Sequence, residues 1–344
     1  MPSPTPVLAK DVTHFESPLS RQSRNVLKNF LAKTFSKHVH SEESIFFFVT
    51  RRSGSTWVTE SIAKQARVRY CEDPLIDRNL HEHYRKLLPH PDFQFMSVGE
   101  HAAELHEYIS GLQNGRYSAG CPWNPLRSDF HKSTTKCIFK FANAFGIAPW
   151  LCDIFSAQSL FMFRHPIPTC LSQEKWGLKP YTHAFVQDEK FYEECLSSKQ
   201  RALIERLLSE GDPLALRVAD WCLENLIPFR YLLDNSDSDA VMALTYEELC
   251  GDYHSLMKQS FTWAGIEQTC VLKPGDPSKT QSKEMKQGLS ASGKKFGSWL
   301  KTVPKSYVTE LMSITDQFEI DIYAANDSIP RRFIHNTGDF EQLC

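Results

Sequence analysis

No run of 18 or more apolar residues occurs in this 344-residue chain, so no transmembrane helix is expected. The N-terminus, Met1-Pro2-Ser3-Pro4-Thr5-Pro6, has neither the basic nor the apolar region of a secretory signal, and the expectation is a cytoplasmic protein. Excess positive charge is missing as well. A formal net charge of −2 argues against a nucleic-acid binder with a global basic field. The ten cysteines include no Cys-x-x-Cys pair and stand at irregular spacings, several in apolar surroundings (Cys137, Cys152, Cys222). Buried reduced thiols are therefore expected, not a disulfide framework. His38-x-His40 and His81-x-His83 lack a carboxylate or Cys at metal-ligand spacing, and the other histidines are scattered, so no metal site is expected. No internal repeat or low-complexity tract is present.

What the chain does have is enough apolar material, 41% of residues, for a substantial core, and a length that permits one large α/β domain or two small ones. Apolar runs at Ile45 to Thr50, Cys137 to Phe141, Leu160 to Phe163 and Val241 to Leu244 have strand length and composition. Long helical stretches separate them, which implies parallel pairing through crossover helices. Helical patterns run from Phe191 to Leu208 and from Leu214 to Leu233. Residues 1–40 read as a polar arm with a short amphipathic helix at Arg24 to Phe35, residues 41–335 as the main domain and 336–344 as a tail. The intervals 97–135 and 173–235, including an aromatic, polar stretch from Trp176 to Phe185, are the expected walls and lids of a site. Lys273 to Gly293 is polar and rich in Lys, Ser and Gly.

The most informative stretch is Phe46 to Thr59, Phe-Phe-Phe-Val-Thr-Arg-Arg-Ser-Gly-Ser-Thr-Trp-Val-Thr. A strand breaks into a polar loop at Gly54 and resumes as a helix at Trp57. Such a junction is an anion cradle, because unpaired backbone N–H groups and the positive end of the helix dipole converge there. Ser53, Ser55 and Thr56 add hydroxyl donors, and Arg51 and Arg52 add permanent charge. A Walker loop needs two glycines five positions apart and Gly-Lys-Ser/Thr, which this chain lacks here.

The stretch resembles the 5′-phosphosulfate loop of sulfotransferases that use 3′-phosphoadenosine 5′-phosphosulfate (PAPS), in which a basic residue precedes Ser-Gly-(Ser/Thr)-(Ser/Thr). A second segment is similar too. Leu160 to Phe163 ends in Arg164-His165-Pro166, and Ser172 follows Arg164 by eight positions, on a helix expected to begin near Pro168. In sulfotransferases an Arg and a Ser at this spacing hold the cofactor's 3′-phosphate, a task suited to an Arg fork and a hydroxyl donor. Val241 to Leu249, with Thr-Tyr-Glu-Glu-Leu, resembles the family's Tyr-Glu-Asp-Leu segment and makes Tyr246 an adenine neighbour. Gly293-Lys294-Lys295-Phe296-Gly297-Ser298-Trp299 looks like the basic loop that closes over the 3′-phosphate. Trp57 is either an adenine-stacking residue, as in the family, or core packing. The resemblance spans residues 44 to about 302 in four short islands. It implies a P-loop sulfotransferase-like α/β fold, a parallel sheet flanked by helices, with PAPS as co-substrate and no metal. With no secretory signal read at Met1 to Pro6, the expectation is a protein distinct from the membrane-anchored Golgi carbohydrate sulfotransferases.

Sulfuryl transfer needs positive charge where the departing phosphate gains negative charge, and a base for the acceptor proton. Arg52 aligns with the family's catalytic basic residue and would act electrostatically, since guanidinium does not deprotonate. The His-base branch carries a His after Lys-Thr at a strand end. Here that place reads Lys140-Phe141-Ala142-Asn143, without one. The carbohydrate and bacterial branch uses a Glu-Pro segment, and Val68-Arg69-Tyr70-Cys71-Glu72-Asp73-Pro74 looks like it, with Asp73 in the Glu position. Asp73, then Glu72, are the expected bases, with His81, His83 and His101 behind them, and Lys140 reaching toward the sulfuryl group. An ordinary acidic turn before Pro74 is the competing reading. The acceptor is expected to be a small-molecule or glycan hydroxyl, with an amine as second choice. Two rivals stay open: a P-loop kinase or nucleotide hydrolase, and a binding protein that keeps the nucleotide pocket without a base.

Overall fold

The computed structural model describes residues 43–65, 67–76, 79–88, 96–117, 134–272, 298–325, 327 and 330, and positions 23, 26, 27, 30, 31 and 34 of an N-terminal helix. The first half of the domain runs β1 Glu43–Val49, α1 Ser55–Ala63, β2 Val68–Glu72, α2 Glu82–Arg85, α3 Ala102–Gln113, β3 Lys136–Phe141, α4 Ala148–Phe155 and β4 Gln158–Phe163. A helical stretch follows, with α5 Pro166–Lys175, α6 Thr182–Gln187, α7 Glu189–Cys195, α8 Ser198–Glu210 and α9 Pro213–Asp234. The chain then forms β5 Val241–Thr245, α10 Tyr246–Gly251, α11 Tyr253–Trp263 and α12 Lys305–Gln317.

The four expected strands are there. A fifth, β2, occupies most of the segment read from sequence as resembling a Glu-Pro base segment, with an acidic turn as the competing reading. Its five residues alternate too weakly to be seen as a strand, and pairing with β3 makes them one (Val68 opposite Lys136, Glu72 opposite Lys140). All pairings are parallel, in the order β2-β3-β1-β4-β5. Two helix expectations are corrected. Phe191 to Leu208 is two helices, because Ser197 and Gln200 form a capping box that starts α8 anew. The helix after β4 begins at Pro166, not near Pro168: His165 caps it and Pro166 takes the first turn, where proline's missing N–H costs nothing. Ser172 therefore lies nearly two turns in.

β1 is buried on both faces. Phe46 and Phe48 point into a cluster with Phe139, Phe141 and Phe161, packed under α3, α4, α9 and α12. Ile45, Phe47 and Val49 point the other way, under α1, α10 and α11. Handedness explains the split. The β1-to-β2 connection crosses the sheet in the opposite direction from the β3-to-β4 and β4-to-β5 connections, so a right-handed crossover puts α1 on the other face. The same reversal parts the loops after β1 and β4 at the carboxyl edge. Open parallel sheets hold their ligands in the crevice at such a switch point.

All eight described cysteines are free, and five of them (Cys71, Cys137, Cys152, Cys170, Cys222) are buried. Burial raises the Cys137 and Cys170 thiols and pushes Cys152 up to about 12, so these sulfurs behave as small apolar groups. No described helix is long and apolar enough to cross a membrane.

Candidate functional site

At the end of β1 the chain turns at Thr50, whose carbonyl accepts from the Ser53 N–H at 3.1 Å. Arg52 (φ 70°) and Gly54 (φ 89°) are both left-handed, and Gly54 caps α1. No side chain caps this helix, and in its first turn the Trp57 N–H bonds the Gly54 carbonyl at 3.1 Å. Ser53 is fully buried, and its hydroxyl meets no hydrogen-bond partner among the described residues. An orphaned buried hydroxyl beside an uncapped helix N-terminus fits a polyanion with oxygen acceptors. Ser55 is buried, while Thr56 is exposed.

Gly54 is required twice. Its φ disfavours any side chain, and a Cβ there would lie 2.5 Å from Cδ2 of Tyr246. Tyr246, the first residue after β5, thus closes over the loop. Gly54→Ala should cost about 1–2 kcal/mol from the backbone alone, and more while the Tyr246 ring stays. The Gly54→Ala/Tyr246→Ala double variant should cost less than the sum of the two single variants in urea unfolding. Strict additivity would show that the ring does not press on the loop.

Three of the sequence-derived residues meet beside this loop. Arg52 Nε donates to Ser172 Oγ at 3.2 Å, and Arg164 Nη1 donates to the Arg52 carbonyl at 2.8 Å. The Arg164 guanidinium lies 4.3 Å from the Tyr246 ring centre, and that of Arg52 lies 4.9 Å from the ring of half-exposed Trp176. Burial and then the neighbouring Arg164 lower the Arg52 pKa, as expected where two cations crowd one site.

Arg51 faces elsewhere. Its guanidinium reaches Asp220 Oδ2 (3.5 Å), Glu224 Oε1 (3.4 Å) and the Lys179 carbonyl (3.2 Å), and covers the Tyr181 ring at 3.8 Å. Both carboxylates lie on α9 and are fully buried. Thr50 Oγ1 donates to Asn225 Oδ1 on the same helix (3.0 Å), and Gln173 Nε2 of α5 donates to the Arg51 carbonyl (3.0 Å). These residues brace the loop from behind, and sequence reasoning missed them. Their signal was polar residues on the core stripe of an amphipathic helix: Arg217, Asp220, Glu224 and Asn225 share helical spacing with buried Val218 and Trp221.

Burial raises the Asp220 pKa, with Arg51 opposing. It raises that of Glu224 likewise, where Arg51 opposes and Asp220 adds to the rise. A carboxyl raised on folding stabilises below its unfolded pKa, and that contribution is lost as pH climbs through neutrality toward the folded value. Glu224→Gln should therefore flatten the fall of the urea midpoint from mildly acidic to mildly alkaline pH. An unchanged slope would place the titration elsewhere.

Trp57 is buried and stacked on Tyr253 (centroids 4.5 Å apart, 7° between planes), with Tyr246 edge-on at 6.5 Å. One face of the indole is thereby taken by packing. Next to Arg164, His165 is fully buried, and burial pushes its pKa down to about 3, so the ring is neutral. It packs on Trp299 (4.4 Å) and Tyr323 (4.9 Å), and Glu247 accepts from both the backbone N–H of His165 and the Tyr323 hydroxyl. Lys294 and Lys295 lie outside the described residues; the chain following them enters the structure at this point.

The acidic candidates sit farther along the carboxyl edge. Asp73 follows β2 in a left-handed conformation (φ 44°), nearly buried, with Oδ1 accepting from the Ala142 N–H at 3.0 Å. Lys140 Nζ lies 3.2 Å from Glu72 Oε1 and 3.8 Å from Asp73 Oδ2. Glu72 and Asp73, at the end of β2, stand about 10 Å from β1 across two strand spacings, while Lys140 is on β3, the strand paired directly with β1. His81 caps α2 and packs on Tyr117, His83 packs on Tyr84, and His101 precedes α3. Among the described residues no three His, Cys, Asp or Glu side chains cluster to hold a metal ion.

No protein-family model matches this sequence, and no curated protein sequence does. Among solved structures the chain is similar to a sulfotransferase from Alicyclobacillus acidocaldarius, at 15% identity over 80% of this chain and 94% of that one, with a TM-score of 0.40. It is also similar to the sulfotransferase domain of the Synechococcus PCC 7002 olefin synthase, at 16% identity over 83% and 98%, TM-score 0.40. A mouse sulfotransferase complexed with PAP is similar at 13% identity over 83% and 88%, TM-score 0.36.

Proposed function

We propose that this chain transfers a sulfuryl group from PAPS to a hydroxyl, or as second choice an amine, of a small molecule or glycan. The observation that carries the reading is the meeting of Arg52, Ser172 and Arg164 beside an uncapped helix N-terminus at the sheet's switch point. The bond formed is acceptor oxygen to sulfur, and the bond broken is sulfur to the bridging oxygen of the 5′-phosphosulfate. The acceptor proton passes to a base, and adenosine 3′,5′-bisphosphate leaves.

In this scheme Arg52 offsets the charge that grows on the departing phosphate, helped by Ser53, Ser55, Thr56 and the N–H groups of Gly54 and α1. Arg164 and Ser172, with Lys294 and Lys295, take the 3′-phosphate. For this, the Arg52–Ser172 hydrogen bond is exchanged for bonds to the nucleotide. Tyr246 and Trp57 border the adenine. Asp73, held by the Ala142 N–H, is the base, and Lys140 beside it faces the sulfuryl group. Arg51 acts from behind, fastening the loop to α9.

Calorimetry tests the nucleotide assignment: adenosine 3′,5′-bisphosphate should bind much more tightly than AMP, and equal affinities would remove the 3′-phosphate site. A screen of acceptors with labelled PAPS tests transfer, which should survive EDTA. Tight binding without turnover on any acceptor would instead make the chain a nucleotide-binding protein.

A further inference from the structure

Eight large apolar side chains are exposed among the described residues, and three of them, Val26, Leu27 and Phe30, fall on the N-terminal helix. The other five (Leu87, Ile154, Trp176, Leu233, Val271) are far apart in sequence and on different segments. Val26, Leu27 and Phe30 are 69%, 47% and 65% exposed, and half-buried Leu31 follows them at helical spacing. Positions i, i+1, i+4 and i+5 make one continuous apolar stripe. The stripe is laid bare, whereas the similar stripes of α8 and α12 are covered by the core.

The charge around the stripe names its occupant. Between Ser20 and His40 stand Arg21, Arg24, Lys28, Lys33 and Lys37 and no Asp or Glu, in a chain whose net charge is −2. An exposed apolar helical stripe within a stretch of sequence rich in Lys and Arg and free of acidic residues is the pattern of a segment that lies in the headgroup layer of an anionic membrane. A second copy of the same helix would bring like charges together. We propose that the helix bearing Val26, Leu27, Phe30 and Leu31 docks this protein on anionic lipid bilayers, apolar stripe inward and basic residues at the headgroups. The proposal is independent of the transfer chemistry.

Co-sedimentation of the full chain with vesicles tests it. Vesicles of phosphatidylcholine with phosphatidylserine should retain the protein at low salt, phosphatidylcholine alone should not, and high salt should release it. Val26→Glu/Phe30→Glu should abolish retention while leaving the urea midpoint and affinity for adenosine 3′,5′-bisphosphate unchanged, since both side chains face solvent. Lys28→Gln and Lys33→Gln should each lower the partition coefficient about fivefold. Absence of retention on the phosphatidylserine vesicles, or retention indifferent to lipid charge and salt, would overturn the proposal. So would a dimer dispersed by Val26→Glu/Phe30→Glu in a protein that ignores vesicles, or capture by an acidic helix-binding protein in place of lipid.

Discussion

Arg164→Ala should weaken binding of adenosine 3′,5′-bisphosphate by about 2–5 kcal/mol, the range for removing one partner of a desolvated charge pair, and should leave AMP binding nearly unchanged. Beside the proposed phosphate contact Arg164 has a structural one, and the choice of two nucleotides separates them. Nη1 holds the Arg52 carbonyl, the guanidinium covers Tyr246, and buried Nε has no hydrogen-bond partner among the described residues. If the variant acts through the lost phosphate contact, only the nucleotide with a 3′-phosphate suffers. If it acts through collapse of the loop, both nucleotides lose affinity alike, and the 3′-phosphate assignment fails. Arg164→Lys should fall between, because an ammonium keeps the charge but not the planar fork.

Asp73→Asn should lower turnover by roughly 10²–10⁴, the usual loss for a general base, while nucleotide affinity stays close to normal. The substitution is structurally mild. Asn tolerates the left-handed backbone that Asp73 adopts, and its Oδ1 can still accept from the Ala142 N–H. What disappears is the negative charge beside Lys140 and the capacity to take a proton. The acidic limb of the pH–rate profile should vanish with it. Arg52→Ala should instead depress turnover at every pH, because the departing phosphate is ionised throughout. Near-normal rates in Asp73→Asn together with an inactive Glu72→Gln or His81→Ala would reassign the base without touching the nucleotide site.

The elements most legible in the sequence were those whose signal is local. Phe46 to Val49, Leu160 to Phe163 and Val241 to Leu244 are apolar, β-branched or aromatic over strand length, and such runs bury in any parallel sheet. β2 was not legible, because Arg69 and Glu72 interrupt its pattern. Arg69 is nevertheless buried, its guanidinium donating to the Gln113 carbonyl at the end of α3. A charged residue satisfied by a distant helix end leaves no trace in its own neighbourhood. The break at Ser197 was written in the sequence as Ser-x-x-Gln, a cap that continuous apolar periodicity concealed.

By itself the sequence determined that a strand runs into a Gly-containing, hydroxyl-rich loop and a helix. It also determined that a second strand ends in Arg164 eight positions before Ser172, and that no segment is apolar enough to span a membrane. Each of these follows from composition and spacing within a dozen or so residues. Only the tertiary structure decided that the two loops lie side by side, since this rests on β1 and β4 being neighbours in the sheet. It also decided which of two adjacent arginines faces the crevice. Arg51 and Arg52 are chemically alike, but the left-handed turn at Arg52 sends one guanidinium to buried carboxylates on α9 and the other to Ser172. The reason is physical: a charge buried among apolar helices must find its counter-charge, and Asp220 and Glu224 lie some 170 residues farther along the chain, beyond the reach of any local pattern.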